Sequence, residues 1–282
     1  METTIYNGKE RAREIETDLA QRVSVIQNKR KHAPGLLSIL IGDDPASHAF
    51  ISIKEKRAQA IGINFERKHY PETFDPIKVV RYIHSRNEDT SIDGILIQLP
   101  LPPQFDRTAT LKAIHPYKDV DGLHPKNLGF LIEGKAHFVP PAVLAVNDIV
   151  RQANLKLSGK EVVLVGSGLL VGKPLAMYFV NEGATVTMCS IHTTVLSRHT
   201  KRADIIISST GEADLITPEM VKEGVVSIDF GGKKINGVLK GEFSADVAFK
   251  SSLFTPVPGG IGPMTVAKLL ENTVISAERS LG

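Results

Sequence analysis

The sequence lacks the features that mark secreted, metal-binding and membrane proteins. Its one cysteine, Cys189, excludes an internal disulfide, and its apolar neighbours predict a buried thiol rather than a nucleophile. The nine histidines follow none of the local spacings of a zinc motif, so we predict no metal site. No apolar run approaches the length of a membrane span, and the amino terminus has no signal-peptide pattern. These absences predict a cytoplasmic protein with no membrane partner.

A strong excess of one charge is also absent. Lys plus Arg number 34 against 31 Asp plus Glu, a formal net charge of +3. No basic block or motif that reads RNA or DNA accompanies this small excess, so we expect no nucleic-acid partner. The chain has 42% hydrophobic and 23% charged residues, which is typical of globular proteins. Its 282 residues suggest about two domains on length alone.

The first half of the chain alternates predicted helices and strands. Helices are predicted over residues 9–30, 45–61, 76–87 and 106–114, and strands over 36–41, 64–69 and 94–100. This β-α-β-α-β order implies right-handed crossovers and a parallel sheet. The polar segment 118–125 follows with no regular period, and its residues Asp119 and Asp121 could be ordinary turn formers.

The residues after the first strand of this sheet suggest a ligand site. Gly42 breaks the strand, and Asp44 with Pro45 can start the following helix. Phe50 and Lys54 are four residues apart and share one face of that helix. Open α/β sheets bind ligands beyond the carboxyl ends of their strands, which is where this pair falls. From this stretch alone, a surface lysine beside a core phenylalanine is the favoured interpretation.

Gln98 lies in an otherwise apolar predicted strand, and the end of that strand is expected to face the same crevice as Gly42. An amide in such a strand is costly unless it finds hydrogen-bond partners. Two interpretations stay open: a satisfied structural amide, or a group that tunes a neighbour or binds a ligand.

The second half opens with a predicted strand over 161–165, the glycine turn Gly166–Gly172, and a helix from 173 to 182. A strand, GxGxxxG and helix in this order indicate a dinucleotide site, because the glycines admit a pyrophosphate and the helix N-terminus stabilises its charge. A tight turn that binds nothing is the alternative. The next strand, 185–189, ends without the carboxylate typical of NAD sites or an arginine for NADP, so cofactor identity stays open.

The remaining elements complete an α/β pattern. Further helices are predicted over 143–152, 218–222 and 265–279, further strands over 204–208 and 225–229, and a glycine-punctuated loop over 254–264.

Five stretches together resemble the bifunctional methylenetetrahydrofolate dehydrogenase/methenyltetrahydrofolate cyclohydrolase (FolD) family. They are Gly42–Ser47, Asp93–Pro102, Lys118–Pro125, Val171–Pro174 and Thr255–Thr265. The resemblance covers essentially the whole chain and implies two α/β domains with a cleft between them. The first is a folate-binding catalytic domain with a parallel-rich sheet, residues 1–139 plus the C-terminal helix at about 265–282. The second is a Rossmann-like NAD(P)-binding domain, residues 140–264.

The resemblance also implies an activity. A member of this family oxidises 5,10-methylenetetrahydrofolate to the methenyl form with NAD or NADP. It then hydrolyses the methenyl form to 10-formyltetrahydrofolate, within one-carbon folate metabolism. A homodimer formed through the cofactor domain is implied as well.

The resemblance carries roles to individual positions. Lys54 matches the catalytic lysine, Gln98 the glutamine that tunes its proton affinity, and Asp121 the carboxylate that binds the pterin ring. The implied substrate-binding residues are Phe50, Gln98, Leu99, Asp121, Pro258, Gly259 and Gly262. The implied cofactor-binding residues are Gly166, Ser167, Gly168, Gly172, Ile191 and Gly232.

The sequence departs from the family pattern next to the chemistry. Phe50 replaces a tyrosine whose hydroxyl joins the catalytic network, so we expect methenyl hydrolysis to suffer more than folate binding. Ser167 replaces an arginine that meets the phosphate of NADP, and Gly168 and Pro141–Val143 differ as well. Three hypotheses therefore stay open: the bifunctional enzyme, a diverged member with one activity lost, and a non-catalytic folate-binding protein.

Overall fold

The structure is a computed structural model, and it describes residues 2–281. The helices are α1 (Gly8–Arg30), α2 (Pro45–Ala60), α3 (Pro76–Asn87), α4 (Arg107–Lys112), α5 (Pro125–Ile132), α6 (Pro141–Gln152), α7 (Gly172–Asn181), α8 (Ser197–Thr200) and α9 (Ile261–Arg279). The strands are β1 (Thr4–Ile5), β2 (Gly35–Ile41), β3 (Asn64–Tyr70), β4 (Gly94–Ile97), β5 (Glu161–Val165), β6 (Thr185–Cys189), β7 (Ile205–Ser208), β8 (Val225–Asp229), β9 (Gly232–Ile235), β10 (Val238–Gly241) and β11 (Ser251–Phe254).

The chain divides into two compact units. The three-strand unit contains Arg13–Phe130, Lys135–Pro141 and the described residues from Val266 onward. The six-strand unit contains the described residues up to Ala12, Leu131–Gly134 and Ala142–Thr265. Each unit is named after its main sheet.

The three-strand unit is built on a parallel sheet with strand order β3-β2-β4, as the β-α-β-α-β pattern predicts. All seven residues of the central strand β2 are buried, because α/β crossovers cover both faces of such a strand. The crossover helices α2 and α3 follow β2 and β3 in the chain, as predicted.

Helix α2 begins and ends as its sequence predicts. The Asp44 carboxylate accepts a hydrogen bond from Ser47 N at 2.8 Å, and Pro45 occupies the first turn. Gly62, just after the helix, has a φ of +86°, which favours glycine. The buried face of α2 includes Ile51, Lys54 and Ala58, at the spacing of one helical stripe. A lysine therefore occupies a core position of this helix.

Two predictions in this unit need correction. Strand β4 ends at Ile97, so Gln98 lies just beyond the strand, although its N–H still donates to Ile39 O at 2.8 Å. Pro100 soon follows and has no N–H with which to extend the ladder. Helix α5 was not predicted, because it follows directly on an irregular polar segment.

The six-strand unit is a doubly wound parallel sheet with strand order β1-β11-β8-β7-β5-β6. Strands β6 and β7 lie on opposite sides of β5, so the winding direction reverses between β5 and β7. The predicted strands are present, but β1, β11 and the antiparallel hairpin β9–β10 were missed. Cys189 is buried in the core of this unit, as predicted.

The closing helix starts earlier than predicted. Helix α9 begins at Ile261, so the expected loop over 254–264 is shorter and Gly262 is helical. Its later residues pack within the three-strand unit: Asn272 Nδ2 donates to Val120 O at 2.8 Å, and Ser276 Oγ donates to Asp93 O at 2.7 Å. Within residues 2–281, no helix combines the length and apolar character needed to cross a membrane.

Candidate active site

The structure reverses the expected burial of Phe50 and Lys54: the lysine is buried and the phenylalanine is exposed. Lys54 is 6% exposed, whereas Phe50 is 39% exposed. A surface lysine beside a core phenylalanine is therefore wrong here. The sequence did hold a signal, because Ile51, Lys54 and Ala58 recur at the spacing of a buried helical stripe.

Among residues 2–281, the buried ammonium of Lys54 has one hydrogen-bond partner. Lys54 Nζ donates to Gln98 Oε1 at 3.1 Å, and Gln98 Nε2 donates to Leu99 O at 2.9 Å. The second contact directs the amide oxygen of Gln98 toward the lysine. Lys54 Nζ also lies 4.8 Å from the centroid of the Phe50 ring. Gln98 therefore has its amide hydrogen-bonded to Lys54, and a tuning or ligand-binding role for it stays a prediction.

Burial changes the proton affinity of this lysine. Removal from water lowers the pKa of Lys54, and the charge of Asp121 opposes that shift. Burial likewise raises the pKa of Asp121, and the charge of Lys54 opposes that shift. A lowered pKa makes the neutral amine easier to form, so this group is better suited than an exposed lysine to accept a proton.

The two aspartates of the 118–125 segment have different environments. Asp119 accepts hydrogen bonds from Leu123 N at 3.2 Å, His124 N at 2.8 Å and Asn127 Nδ2 at 2.8 Å. It is a structural turn former, and burial raises its pKa to about 6. Among residues 2–281, no group donates a hydrogen bond to the Asp121 carboxylate. Asp121 is therefore free to bind a ligand, whereas Asp119 is not.

The glycine turn of the six-strand unit has two glycines that the fold requires. Gly166 has a φ of +114°, and a Cβ there would lie 2.6 Å from Ser209 O. A Cβ on Gly172 would lie 2.0 Å from Gly166 O. By contrast, a Cβ on Gly168 would meet no described atom within 4 Å. Packing within the chain thus does not explain Gly168, but close approach of a ligand to the backbone would.

The turn lies where such a ligand would bind. It follows β5, and Ser209 follows β7, so the two meet at the point where the winding direction reverses. In the described chain, no side chain caps the N-terminus of α7, which begins at Gly172. Lys173 N already donates to Gly168 O at 3.0 Å and Pro174 has no N–H, so within residues 2–281 Gly172 N is the amide of the first turn that is left for an anion. A pyrophosphate, and so a dinucleotide, fits this combination.

The other predicted cofactor positions are Ser167, Ile191 and Gly232, which come from three separate segments of the chain. Ser167 lies in the glycine turn, and Ile191 follows β6 with 95% of its surface exposed. Gly232 starts β9, where a Cβ would lie 1.7 Å from Lys240 O, so hairpin packing by itself requires glycine there. Packing of the hairpin thus explains why residue 232 is glycine, and its contact with a cofactor stays a prediction.

Two buried carboxylates that sequence reasoning missed organise the loops at this edge. Glu242 accepts hydrogen bonds from Ser208 Oγ, from Thr210 Oγ1 at 2.7 Å and from Gly211 N at 2.7 Å. Asp229 accepts from Glu242 N at 2.8 Å. Glu242 follows a hairpin that was itself not predicted, so no local signal marked it.

The predicted folate-loop residues lie in the six-strand unit. Pro258 and Gly259 belong to the segment between β11 and α9, and Gly262 is in the first turn of α9. Gly259 has a φ of +110°, which favours glycine. A Cβ on Gly262 would meet no described atom within 4 Å, so nothing inside the chain requires glycine at that position.

Known proteins similar to this chain share both its sequence and its fold. The family model "Tetrahydrofolate dehydrogenase/cyclohydrolase, catalytic domain" matches residues 6–121, and "Tetrahydrofolate dehydrogenase/cyclohydrolase, NAD(P)-binding domain" matches residues 140–281. The bifunctional protein FolD of Bacillus subtilis is 42% identical over 286 residues, covering 100% of both chains.

Solved structures agree with this similarity. The crystal structure of the bifunctional FolD enzyme of Campylobacter jejuni has a TM-score of 0.96 and 38% identity, covering 99% of this chain and 100% of that chain. The Trypanosoma brucei enzyme, complexed with NADP and an inhibitor, has a TM-score of 0.94 and 33% identity, with 99% of each chain covered.

Proposed function

The chain belongs to the tetrahydrofolate dehydrogenase/cyclohydrolase family, and we propose that it catalyses both reactions of that name. It oxidises 5,10-methylenetetrahydrofolate to 5,10-methenyltetrahydrofolate, and it hydrolyses the methenyl form to 10-formyltetrahydrofolate. The observation that carries this proposal is the buried Lys54, which donates to Gln98 and whose pKa is lowered by burial.

The hydrolysis step needs a group that takes a proton from water next to a cation. Water adds to the methenyl carbon, and one of its protons passes to the neutral amine of Lys54. The bond between that carbon and N5 then breaks as the hydroxyl becomes the formyl carbonyl, and N5 takes up the proton that the hydroxyl loses. A lysine suits this step better when its pKa lies near the working pH, as burial of Lys54 favours. Gln98 orients the lysine through its amide oxygen without neutralising its charge.

The oxidation step places less demand on acid–base groups. Bound NAD or NADP supplies the acceptor for the hydride that leaves the methylene bridge. The contribution of the protein is to hold the folate ring in a fixed orientation. Asp121, whose carboxylate has no described hydrogen-bond donor, binds the polar edge of the pterin, and the exposed ring of Phe50 with Leu99 provides contact surface. Pro258, Gly259 and Gly262, in the six-strand unit, are the further folate-binding residues that the family resemblance implies.

The dinucleotide is held at the glycine turn. Gly166 shapes the turn, and its own N–H donates to Cys189 O at 3.0 Å. Ser167, Gly168 and Gly172 bring backbone amides to the pyrophosphate, and Ile191 and Gly232 lie against the rest of the cofactor. Ser167 can offer a hydroxyl to a phosphate but no positive charge. We therefore expect a smaller preference for NADP than an arginine at this position would give.

The experiment that tests the proposal is a spectrophotometric assay of the purified chain with 5,10-methylenetetrahydrofolate, run with NAD and again with NADP. Reduced nicotinamide and methenyl product with either cofactor support the oxidation step. Decay of added methenyltetrahydrofolate, corrected for the uncatalysed rate, measures hydrolysis separately. If neither reaction exceeds the uncatalysed rate, the proposed function is wrong.

A second candidate, a family member with reduced hydrolysis, is favoured by one observation. Phe50 presents its ring to Lys54 at 4.8 Å but has no hydroxyl to join the proton-transfer network. In this case oxidation proceeds at a normal rate while methenyl hydrolysis lags, so methenyl product accumulates in the coupled assay. Equal efficiency of the two steps would rule this candidate out.

The chain also forms a homodimer through the six-strand unit, in the cytoplasm. Strand β6 lies at the edge of the sheet, and Met188 on β6 and Val180 on α7 are exposed apolar side chains. The single buried cysteine suits a reducing compartment. Light scattering after size exclusion should give twice the chain mass, and Met188→Lys should shift it to the monomer. A monomeric wild type would contradict this assembly.

A further inference from the structure

A polar cluster at the start of α2 is not used by the proposed reactions. It consists of Asp43, from the segment between β2 and α2, His48 in the first turn of α2, and His69 near the end of β3. Asp43 Oδ1 lies 3.5 Å from His48 Nε2 and 3.2 Å from His69 Nε2. The two imidazole rings are 5.1 Å apart between centroids. One carboxylate oxygen and two imidazole nitrogens thus point at a common volume.

A backbone oxygen adds a fourth atom. His69 Nε2 lies 3.0 Å from Gly42 O. Ligands bound to a tetrahedral zinc ion at about 2.0–2.1 Å are separated from each other by roughly 3.3 Å. The separations of 3.0, 3.2 and 3.5 Å bracket that value. The three side-chain ligand atoms all lie within 4.8 Å of one another, so a modest ring rotation brings the two imidazoles to the same spacing.

The Asp43 carboxylate is not needed for the helix. Asp44 is the cap residue, and its Oδ2 accepts from Ser47 N at 2.8 Å and from Ser47 Oγ at 2.7 Å. Asp43 side-chain contacts go instead to His48 and His69, and all three residues are at least partly exposed, so an ion can enter from solvent.

We propose that Asp43, His48 and His69 bind a divalent transition metal ion of the zinc class, with Gly42 O or a water molecule completing the shell. Two imidazoles with one carboxylate favour zinc, copper, nickel or iron, whereas magnesium and calcium prefer shells made of oxygen. The ion would connect the end of β3 to the helix that carries Lys54. This inference is independent of the proposed function.

Arg67 opposes the metal in this arrangement. Its Nη2 contacts His48 Nδ1, and because a guanidinium can only donate, that nitrogen must accept and the ring proton must be on Nε2. A metal on Nε2 requires the proton to be on Nδ1 instead, so Arg67 has to move away. Removing Arg67 should therefore tighten metal binding, whereas removing a ligand should weaken it.

The test is a titration of the full-length, metal-stripped protein with Zn²⁺ in competition with a chromophoric chelator. We expect one equivalent to bind. Binding should weaken by about tenfold or more in each of three variants, His48→Ala, His69→Ala and Asp43→Asn. Loss of a residue that only supports a metal ligand already weakens metal affinity by about that factor. Arg67→Met should tighten it by severalfold. Co²⁺ in place of Zn²⁺ should give the visible absorption bands of a four-coordinate site in the wild type and lose them in His48→Ala.

His84→Ala is the matched control, because His84 is an exposed histidine of α3 outside the cluster. It should leave affinity and stoichiometry unchanged. Circular dichroism checks that each variant is folded, and Asp43→Asn, which changes one atom, remains informative if a histidine variant does not fold. The proposal is overturned if no saturable equivalent binds, or if the three ligand variants bind Zn²⁺ as tightly as His84→Ala does. In either case the cluster is a hydrogen-bonded group only.

Discussion

Glu242 in the six-strand unit and Lys54 in the three-strand unit are both buried charged side chains, at 1% and 6% exposure, but they differ in their partners. Four donors surround the Glu242 carboxylate: Ser208 Oγ, Thr210 N, Thr210 Oγ1 and Gly211 N. Within the described part of the chain, Lys54 has one hydrogen-bond acceptor, Gln98 Oε1, and no group donates to the carboxylate of the nearby Asp121.

From this difference we infer that Glu242 is a structural charge and Lys54 a functional one. A buried charge that is fully hydrogen-bonded fixes the loops that bind it, as Glu242 fixes the segment after β7. A buried charge with few partners lowers the stability of the fold. Its altered proton affinity can serve proton transfer to or from a bound substrate. The comparison therefore predicts opposite consequences when each charge is removed.

The largest expected effect is on hydrolysis in Lys54→Met. Methionine keeps the length of the side chain but removes the base, so methenyl hydrolysis should fall by about 10²-fold or more. The free energy of unfolding should stay equal or rise, because a buried charge has been replaced by an apolar group of similar volume. Kinetics of methenyl decay and urea unfolding measure the two effects.

Lys56→Met serves as the control for this variant. Lys56 is an exposed lysine on the same helix, two residues away, and its replacement should change neither property. If Lys54→Met hydrolyses as fast as Lys56→Met, then Lys54 is not the base.

The next effect is on stability in Glu242→Ala. This change leaves the buried hydroxyl of Ser208 without its acceptor, which costs about 1–3 kcal/mol, and it removes the contact that holds the exposed N–H groups of Thr210 and Gly211. The free energy of unfolding of the six-strand unit should fall by that order, together with dinucleotide affinity. Urea unfolding should be followed by circular dichroism, because the chain has no tryptophan.

Glu223→Ala is the comparison for this loss. Glu223 is exposed, and its carboxylate is 3.7 Å from Lys250 Nζ in a surface ion pair, so its removal should cost less than about 0.5 kcal/mol. Equal losses in the two variants would mean that the hydrogen bonds to Glu242 do not support the fold.

A smaller effect concerns pH and Asp229, whose pKa is raised to about 7 by burial and by the charge of Glu242. The native state keeps the Asp229 proton to higher pH than the unfolded chain does. Its contribution to stability is therefore complete below about pH 4 and is lost as pH rises to about 7. Unfolding free energies at several pH values in this window should show the decline.

Asp229→Asn should remove this contribution, because the amide does not ionise. The difference in stability between wild type and Asp229→Asn should then change across about pH 4–7 and be constant above it. A difference that does not vary with pH in that window would show that Asp229 does not titrate as described.

The fold was predictable where local signals agree. Helix α2 has an aspartate cap, an early proline and a closing glycine, and β2 is a continuous apolar run, so both were found from sequence. Strands β1 and β11 were missed because they are short and pair across the whole chain, with Thr4 opposite Leu253. Strands of two and four residues are too short to show a periodic pattern, and no local pattern can identify a pairing partner so far away in the sequence.

The sites were less predictable because their residues come from separate segments. Lys54, Gln98 and Asp121 lie on α2, after β4 and after the bridge at Asp119, and only the family resemblance suggested them together. Asp43, His48 and His69 match no local metal-binding spacing, which is why the sequence predicted no metal. Tertiary structure, not local pattern, brings each set together.

The smallest expected effect is a gain in Phe50→Tyr, which adds a hydroxyl to a ring whose centroid is 4.8 Å from Lys54 Nζ. A hydroxyl that bonds to the lysine or to the attacking water is worth about 1–1.5 kcal/mol, so hydrolysis should rise by roughly fivefold to thirteenfold. The KM for methylenetetrahydrofolate should change little, because the aromatic surface is kept. Phe249→Tyr, on an exposed ring in the six-strand unit, is the control and should change neither value.

The gain must also depend on Lys54. In the Lys54→Met background, Phe50→Tyr should no longer raise hydrolysis, because the hydroxyl acts through the lysine. A gain that persists without Lys54 would mean that the tyrosine provides its own proton-transfer route. In that case the hydroxyl that Phe50 lacks would not act through Lys54. The difference in hydrogen bonding between Lys54 and Glu242 would then need a different explanation.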